Sequence, residues 1–223
     1  MRKSWWKIVA VIFLVYTCTA GFLTPVPYTG NLYECIRNMY FHVPMWSAMM
    51  TLLTVSAFNA VRYLRKPDPH FDILSDSYAK TGIWFGILGL ITGSIWARYT
   101  WGEFWSNDPK QLGAAIAELI YLAYLVLRSS ITDLDKRARV SAVYNIFAYF
   151  ILFPTLIILP RMVQSLHPGG EGAEGNPGLG GDSLDPIMQR VFFPALIAWT
   201  LLGVWISTLQ VRYTVLKEKH LEA

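Results

Sequence analysis

Six apolar segments, each close to the length of a membrane crossing, divide this chain. They run over about residues 5–23, 44–64, 81–98, 112–127, 140–159 and 188–211. A helix needs about 20 apolar residues to cross the ~30 Å hydrocarbon core. Within each segment apolar residues continue all the way round the helix instead of lining one face, which is the pattern of a spanning helix. In a chain of 223 residues this leaves no room for a sizeable soluble domain. Composition agrees: 54% of the residues are hydrophobic and 15% charged, against about 25% charged in soluble domains. Disordered, fibrous and disulfide-rich secreted classes are excluded on the same grounds. The expected fold is all-α, a single polytopic membrane domain of six transmembrane helices over residues 1–223.

Lysine and arginine predict the orientation. Fourteen of the nineteen fall on one side: Arg2, Lys3 and Lys7, then Arg62, Arg65, Lys66 and Lys80, then Arg128, Lys136, Arg137 and Arg139, then Arg212, Lys217 and Lys219. Only Arg37, Arg98, Lys110, Arg161 and Arg190 fall on the other. The positive-inside rule then places both termini in the cytoplasm. The net charge of +4 reports this topology and calls for no nucleic-acid partner. The first segment, with Arg2 and Lys3 before it and Thr19-Ala20-Gly21 near its end, fits an uncleaved first helix better than a signal peptide. Cys18 and Cys35 form no Cys-x-x-Cys pair and read as two free thiols. Cys-x-x-Cys-His is absent, so the chain carries no covalent c-type haem of its own.

The inner connections, Arg65–Lys80 and Ser129–Arg139, read as short cytoplasmic loops, and the unusual residues collect on the outer side. Trp101-Gly-Glu-Phe-Trp-Ser-Asn-Asp108 is the sharpest signal. A short interfacial helix there places Trp101 and Trp105 on one face with Phe104 beside them. Asp108-Pro109-Lys110-Gln111 reads as a helix start, with Asp108 as cap, Pro109 at the first position and Gln111 closing a capping box. An aromatic belt at the headgroups is the ordinary alternative for such tryptophans. His42 precedes Pro44 at the outer mouth of the second span, with Trp46 one turn further in. His167 precedes Pro168 beyond the fifth span. Two histidines flanking an aromatic stretch suit axial ligation of an iron porphyrin. His70 and His220 read as solvated.

The loop over about residues 168–186 holds seven glycines between Gly169 and Asp182 and reads as a flexible linker. It either joins two helices or acts as a hinge beside a ligand. Arg37, Arg98, Arg161 and Arg190 suit haem propionates and lipid headgroups equally. Glu118, an ionisable group within a span, faces protein; a helix or subunit contact and a proton-transport role both fit it. Gly113, Ala114 and Ala117 allow close approach of another helix nearby.

Six spans, Tyr40-Phe-His-Val-Pro44, Trp101-Gly-Glu-Phe-Trp-Ser-Asn-Asp108 and a second outer histidine together resemble the CcmC family. These are haem-handling membrane proteins of cytochrome c maturation, within a wider group bearing a tryptophan-rich WWD signature. The resemblance covers nearly the whole chain. It implies a multi-pass protein of the bacterial inner membrane that holds non-covalent haem b transiently at the outer face. That haem is passed to a periplasmic haem chaperone, beside an ABC transporter complex and a small single-span subunit. It also implies that His42 and His167 ligate the haem iron, and that Trp101, Gly102, Trp105 and Asp108 form the platform. The chain is then a delivery protein and not an enzyme. Asn107 departs from the pattern, which usually has Trp before the Asp.

Three rivals remain at this level. A haem-handling subunit of the transporter-independent cytochrome c synthase pathway generally has more spans and extra intramembrane histidines. A b-type electron-transfer subunit usually needs about four inward-facing histidines for two haems. A permease predicts broken helices or midplane polar groups, for which Glu118, Asn59 and Asn145 are the candidates.

Overall fold

A computed structural model describes residues 4–27, 32–163, 165–167 and 184–221. The chain is all-α, with no strand among these residues. Helix α1 spans Trp5–Leu23, α2 Met39–Arg65, α3 Pro69–Trp101, α4 Pro109–Ser130 and α5 Leu134–Phe153. A π-helical turn, Pro154–Ile158, leads into the short α6, Leu159–Met162, and α7 spans Pro186–Leu221. Five stretches are long and apolar enough to cross a membrane: Trp5–Leu23, Glu34–Arg65, Pro109–Ser130, Leu134–Ile158 and Pro186–His220. These make the protein a polytopic membrane protein. Helix α3, which contains the expected third span, has the length at 33 residues. Its recurrent glycines and flanking charges dilute its apolar content.

Two boundaries correct the sequence reading. The inner segment expected as a loop over Arg65–Lys80 is mostly helix. Asp68 caps α3 by accepting the His70 N–H at 2.9 Å, and Pro69 takes the first position, where its missing N–H costs nothing. Helix α2 starts before Pro44, because a 3-10 turn over Tyr33–Asn38 runs straight into it. Pro44 therefore lies inside the helix and leaves the Tyr40 carbonyl without an N–H. The Trp199 indole of α7 donates to that carbonyl at 3.2 Å. Pro194 does the same to Arg190 in α7, and the Tyr16 hydroxyl of α1 donates there at 3.2 Å. Each proline thus opens a carbonyl that a neighbouring helix fills, as a low-dielectric setting demands.

Helix α2 lies at the centre, packed along α3, α5 and α7, with α1 outside α7 and α4 beside α5. The main core gathers Met49, Leu52, Leu53, Ile83, Phe85, Tyr121, Tyr124 and Leu152. Polar stitches join the helices within it. Asn145 Nδ2 donates to Ser56 Oγ (2.7 Å) and Ser75 Oγ (2.9 Å), and Ser56 Oγ donates to the Ser75 carbonyl (2.6 Å). Such interhelical bonds are each worth about 1 kcal/mol. At the end carrying Arg65 and Arg128, the Arg128 guanidinium bridges Asp72 (2.8 and 2.7 Å) and Asp76 (3.0 Å), locking α4 to α3. Glu118, one of the ionisable residues within a span, is 4% exposed and abuts Gly86 of α3. Its Oε1 has no hydrogen-bond partner among the described residues.

Candidate haem site

At the other end of the bundle, α3 carries glycines at 82, 86, 89 and 93, one above another along the face turned to α2. A Cβ on Gly82 would meet Leu53, one on Gly86 Met49, one on Gly89 Trp46 and one on Gly93 the His42 ring, all at 2.9 Å or less. The two helices run antiparallel in this register, so each missing side chain admits one residue of α2. His42 is thereby packed against α3. Its Nδ1 is 3.1 Å from the Gly89 carbonyl and 3.2 Å from Thr92 Oγ1. A carbonyl only accepts, so Nδ1 carries the proton and Nε2 keeps its lone pair. Trp46 and Trp96, with ring centroids 6.2 and 5.8 Å away, both meet the imidazole at near right angles.

The tryptophan segment does not form the expected helix. Gly102 adopts a left-handed conformation (φ 89°) and ends α3 one residue after Trp101, a common helix stop. Trp101 therefore belongs to α3, whereas Trp105 lies in the irregular stretch beyond. Phe104 is exposed, with the Arg98 guanidinium over its ring. Asp108 caps α4 by accepting the Lys110 N–H at 2.9 Å, with Pro109 at the first position. The capping box is altered, because Gln111 Oε1 reaches past the cap to Ser106 N–H and Oγ, both at 3.0 Å.

Asp108 has a second duty that the sequence does not announce. Its Oδ2 accepts from Ser165 Oγ (2.8 Å) and the Leu166 N–H (2.7 Å), and its Oδ1 is 2.7 Å from His167 Nδ1. One buried carboxylate thus fixes the start of α4 and the segment carrying His167. Burial works against its charge, but the adjoining His167 ring and the bonds from Ser165, Leu166 and Lys110 prevail, holding it below the usual carboxylate range. For His167 burial is the leading influence and lowers its pKa despite the carboxylate. The ring is therefore neutral near pH 7, donating Nδ1–H to Asp108 and keeping its lone pair on Nε2. A carboxylate behind a histidine in this manner is the usual second partner of a metal-binding imidazole. The edge of Trp101 packs against His167, with centroids 4.7 Å apart at 72°.

His42 and His167 line one cavity of about 440 Å³, together with Trp46, Trp105, Lys110 and Gln111 and the apolar Leu156, Ile157 and Leu196. That volume lies within the 300–1,000 Å³ of typical small-molecule sites. Leu156 and Ile157 belong to the π-helical turn, a distortion often found at functional sites. The turn is accommodated by Gly113, where a Cβ would lie 2.1 Å from the Thr155 carbonyl oxygen.

Of the residues singled out in the sequence, His42, His167 and Trp105 line the cavity, and Trp101 and Asp108 back His167. Gly102 stands apart at the exposed turn, with nothing within 4 Å of a Cβ. Three of the outer arginines lie elsewhere. Arg37 binds Glu34 and the carbonyls of Gly21 and Thr24, Arg98 binds the Gly102 carbonyl, and Arg190 is not in the lining. The Arg161 side chain and the glycine-rich stretch 168–183 lie outside the described residues. Among the described residues, Lys110 is the cation in the lining. It was counted in the sequence only as an outer charge. His70 and His220 are exposed at the opposite end. Asn107 adopts a positive φ of 55° and accepts the Trp105 indole N–H at 2.7 Å.

The family model described as CcmC, Heme exporter protein C, matches residues 1–223. The chain belongs to the CcmC family. It is 26% identical over 215 residues to Heme exporter protein C of Bradyrhizobium diazoefficiens, covering 96% of this chain and 79% of that protein. It is likewise 26% identical over 186 residues to Heme exporter protein C of Haemophilus influenzae, 82% of this chain and 72% of that protein. A shorter likeness, 40% over 82 residues, joins this CcmC-family chain to cytochrome c biogenesis protein CcsA of Prochlorococcus marinus. It spans 35% of the chain and only 26% of CcsA.

Proposed function

We propose that this protein binds haem at the outer, periplasmic face of the bacterial inner membrane and passes it to a periplasmic haem chaperone for c-type cytochrome maturation. One observation carries the reading. Both histidines of a single apolar cavity have Nδ1–H committed to a fixed acceptor, Gly89 O for His42 and Asp108 for His167. Each is left with an Nε2 lone pair, the atom an axial ligand needs. Haem is the cargo: it supplies an iron with two axial positions and a flat apolar ring. Trp105 at the cavity edge offers that ring an aromatic surface, and Trp101 and Asp108 keep His167 in place. Gly102 contributes by ending α3, so that the segment carrying Trp105 can turn toward the cavity.

In this reading α3 is the sixth membrane crossing, both termini are cytoplasmic, and the cavity end faces outward, following the lysine and arginine imbalance. The protein works as a delivery component, beside an ABC transporter and a small single-span subunit, and forms no bond in the product. Heme exporter protein C as the name of its relatives supports haem as the cargo. A b-type electron-transfer subunit is disfavoured by position, since His70 and His220 are exposed at the opposite end.

Haem titrated into the purified apoprotein is expected to saturate at one equivalent per chain. Absence of saturable binding overturns the reading. Lys110, as the cation in the lining, is expected to face the carboxylates of the cargo. Lys110→Gln should weaken haem affinity about ten- to a hundredfold, the range of one charge-assisted bond, and leave affinity for a propionate-esterified porphyrin unchanged. Equal weakening for both ligands contradicts the assignment.

A further inference from the structure

Trp105 is 38% exposed at the rim of the cavity. A rim indole with one open face is free to turn about its two side-chain torsions unless something holds its polar edge. Its Nε1–H donates to Asn107 Oδ1 at 2.7 Å, a bond between side chains two residues apart. Asn107 itself is in the left-handed region, at φ 55°. Asparagine is among the few non-glycine residues that enter this region readily.

Asn107 is itself held on both sides. Before it, Ser106 gives its N–H and hydroxyl to Gln111 Oε1 on the first turn of α4. After it, Asp108 caps the same helix and clasps the His167 segment. The Trp105 ring is consequently tied through Asn107 to the framework that sets His167, and not to α3, which ended at Trp101.

The geometry points to Asn107 as a positioning residue that fixes the Trp105 indole in register with His167 at the cavity rim. This rests on the haem reading above and deepens it. Asn107 touches no cargo; it acts through the ring it holds.

The test uses the full chain in detergent or nanodiscs with 15N-labelled indoles. Trp105 is identified among the nine tryptophans by Trp105→Phe. Asn107→Gly keeps the positive φ and removes the acceptor, and Asn107→Asp keeps an acceptor. In the apoprotein, Asn107→Gly should move the Trp105 indole resonance toward its solvent position and speed its exchange with water, while Asn107→Asp keeps both near wild type. In the haem-bound protein, Asn107→Gly should raise the haem dissociation rate about three- to tenfold, the range of one hydrogen bond, with Asn107→Asp restoring it. An unmoved Trp105 resonance in Asn107→Gly overturns the bond. A moved resonance with an unchanged dissociation rate overturns the positioning role. If wild type binds no haem, the haem reading fails and the role falls with it, while the apoprotein spectra still decide the bond.

Discussion

Replacing Asp108 with alanine should weaken haem binding by about a hundredfold or more and convert the bound spectrum from six-coordinate to five-coordinate. The carboxylate holds four donors at 2.9 Å or less: the Lys110 N–H, the Leu166 N–H, Ser165 Oγ and His167 Nδ1. Hydrogen bonds to a charged group are worth about 1.5–3 kcal/mol each, and the orphaned N–H groups add their own desolvation cost. Loss of even two such bonds amounts to about 3 kcal/mol, or roughly two decades in affinity. Expression and the helical content of the bundle should survive, because the α3–α4 ion pairs of Arg128 lie at the far end. Asp108→Asn should fall between the two, retaining a carbonyl for the cap and His167 but opposing the Leu166 N–H with its own amide. Spectral titration of the three proteins checks this, and wild-type affinity in Asp108→Ala sinks the clasp.

The second large effect is expected at Gly113, between the cavity-lining Gln111 and Ala114. A methyl there would sit 2.1 Å from the Thr155 carbonyl oxygen, which is backbone and cannot rotate away. Gly113→Ala must push the π-helical turn off α4, carrying Leu156 and Ile157 out of the cavity wall. Overpacking of this kind typically costs about 1–3 kcal/mol, and a backbone partner puts it at the upper end. Denaturant unfolding in detergent should show that loss, together with weaker haem binding. Wild-type stability and affinity in Gly113→Ala contradict the close approach.

Much of this was legible before any coordinates. The apolar segments predict the helices because span length and all-round hydrophobicity are local properties. Asp108-Pro109 announces the start of α4 for the same reason. His42 and His167 were legible as a pair because charge asymmetry placed both on one side. What stayed hidden depends on non-local or backbone detail. The left-handed turn at Gly102 separates Trp101 from Trp105, although their four-residue spacing suggests a shared helical face. The second duty of Asp108 joins residues more than fifty apart. Lys110 could not be told from other outer charges by sequence alone, because only the folded chain brings it to the cavity wall. One signal was present and unread: glycines at 82, 86, 89 and 93 mark a face of close approach, and His42 is the residue that the last of them admits.

The central claim is that His42 and His167 both ligate the haem iron, and absorption spectra of haem-loaded wild type, His42→Ala and His167→Ala test it most directly. Wild type should give a low-spin bis-imidazole spectrum, and each variant should lose it, with exogenous imidazole restoring the six-coordinate form. A low-spin spectrum unchanged in both variants would contradict the assignment.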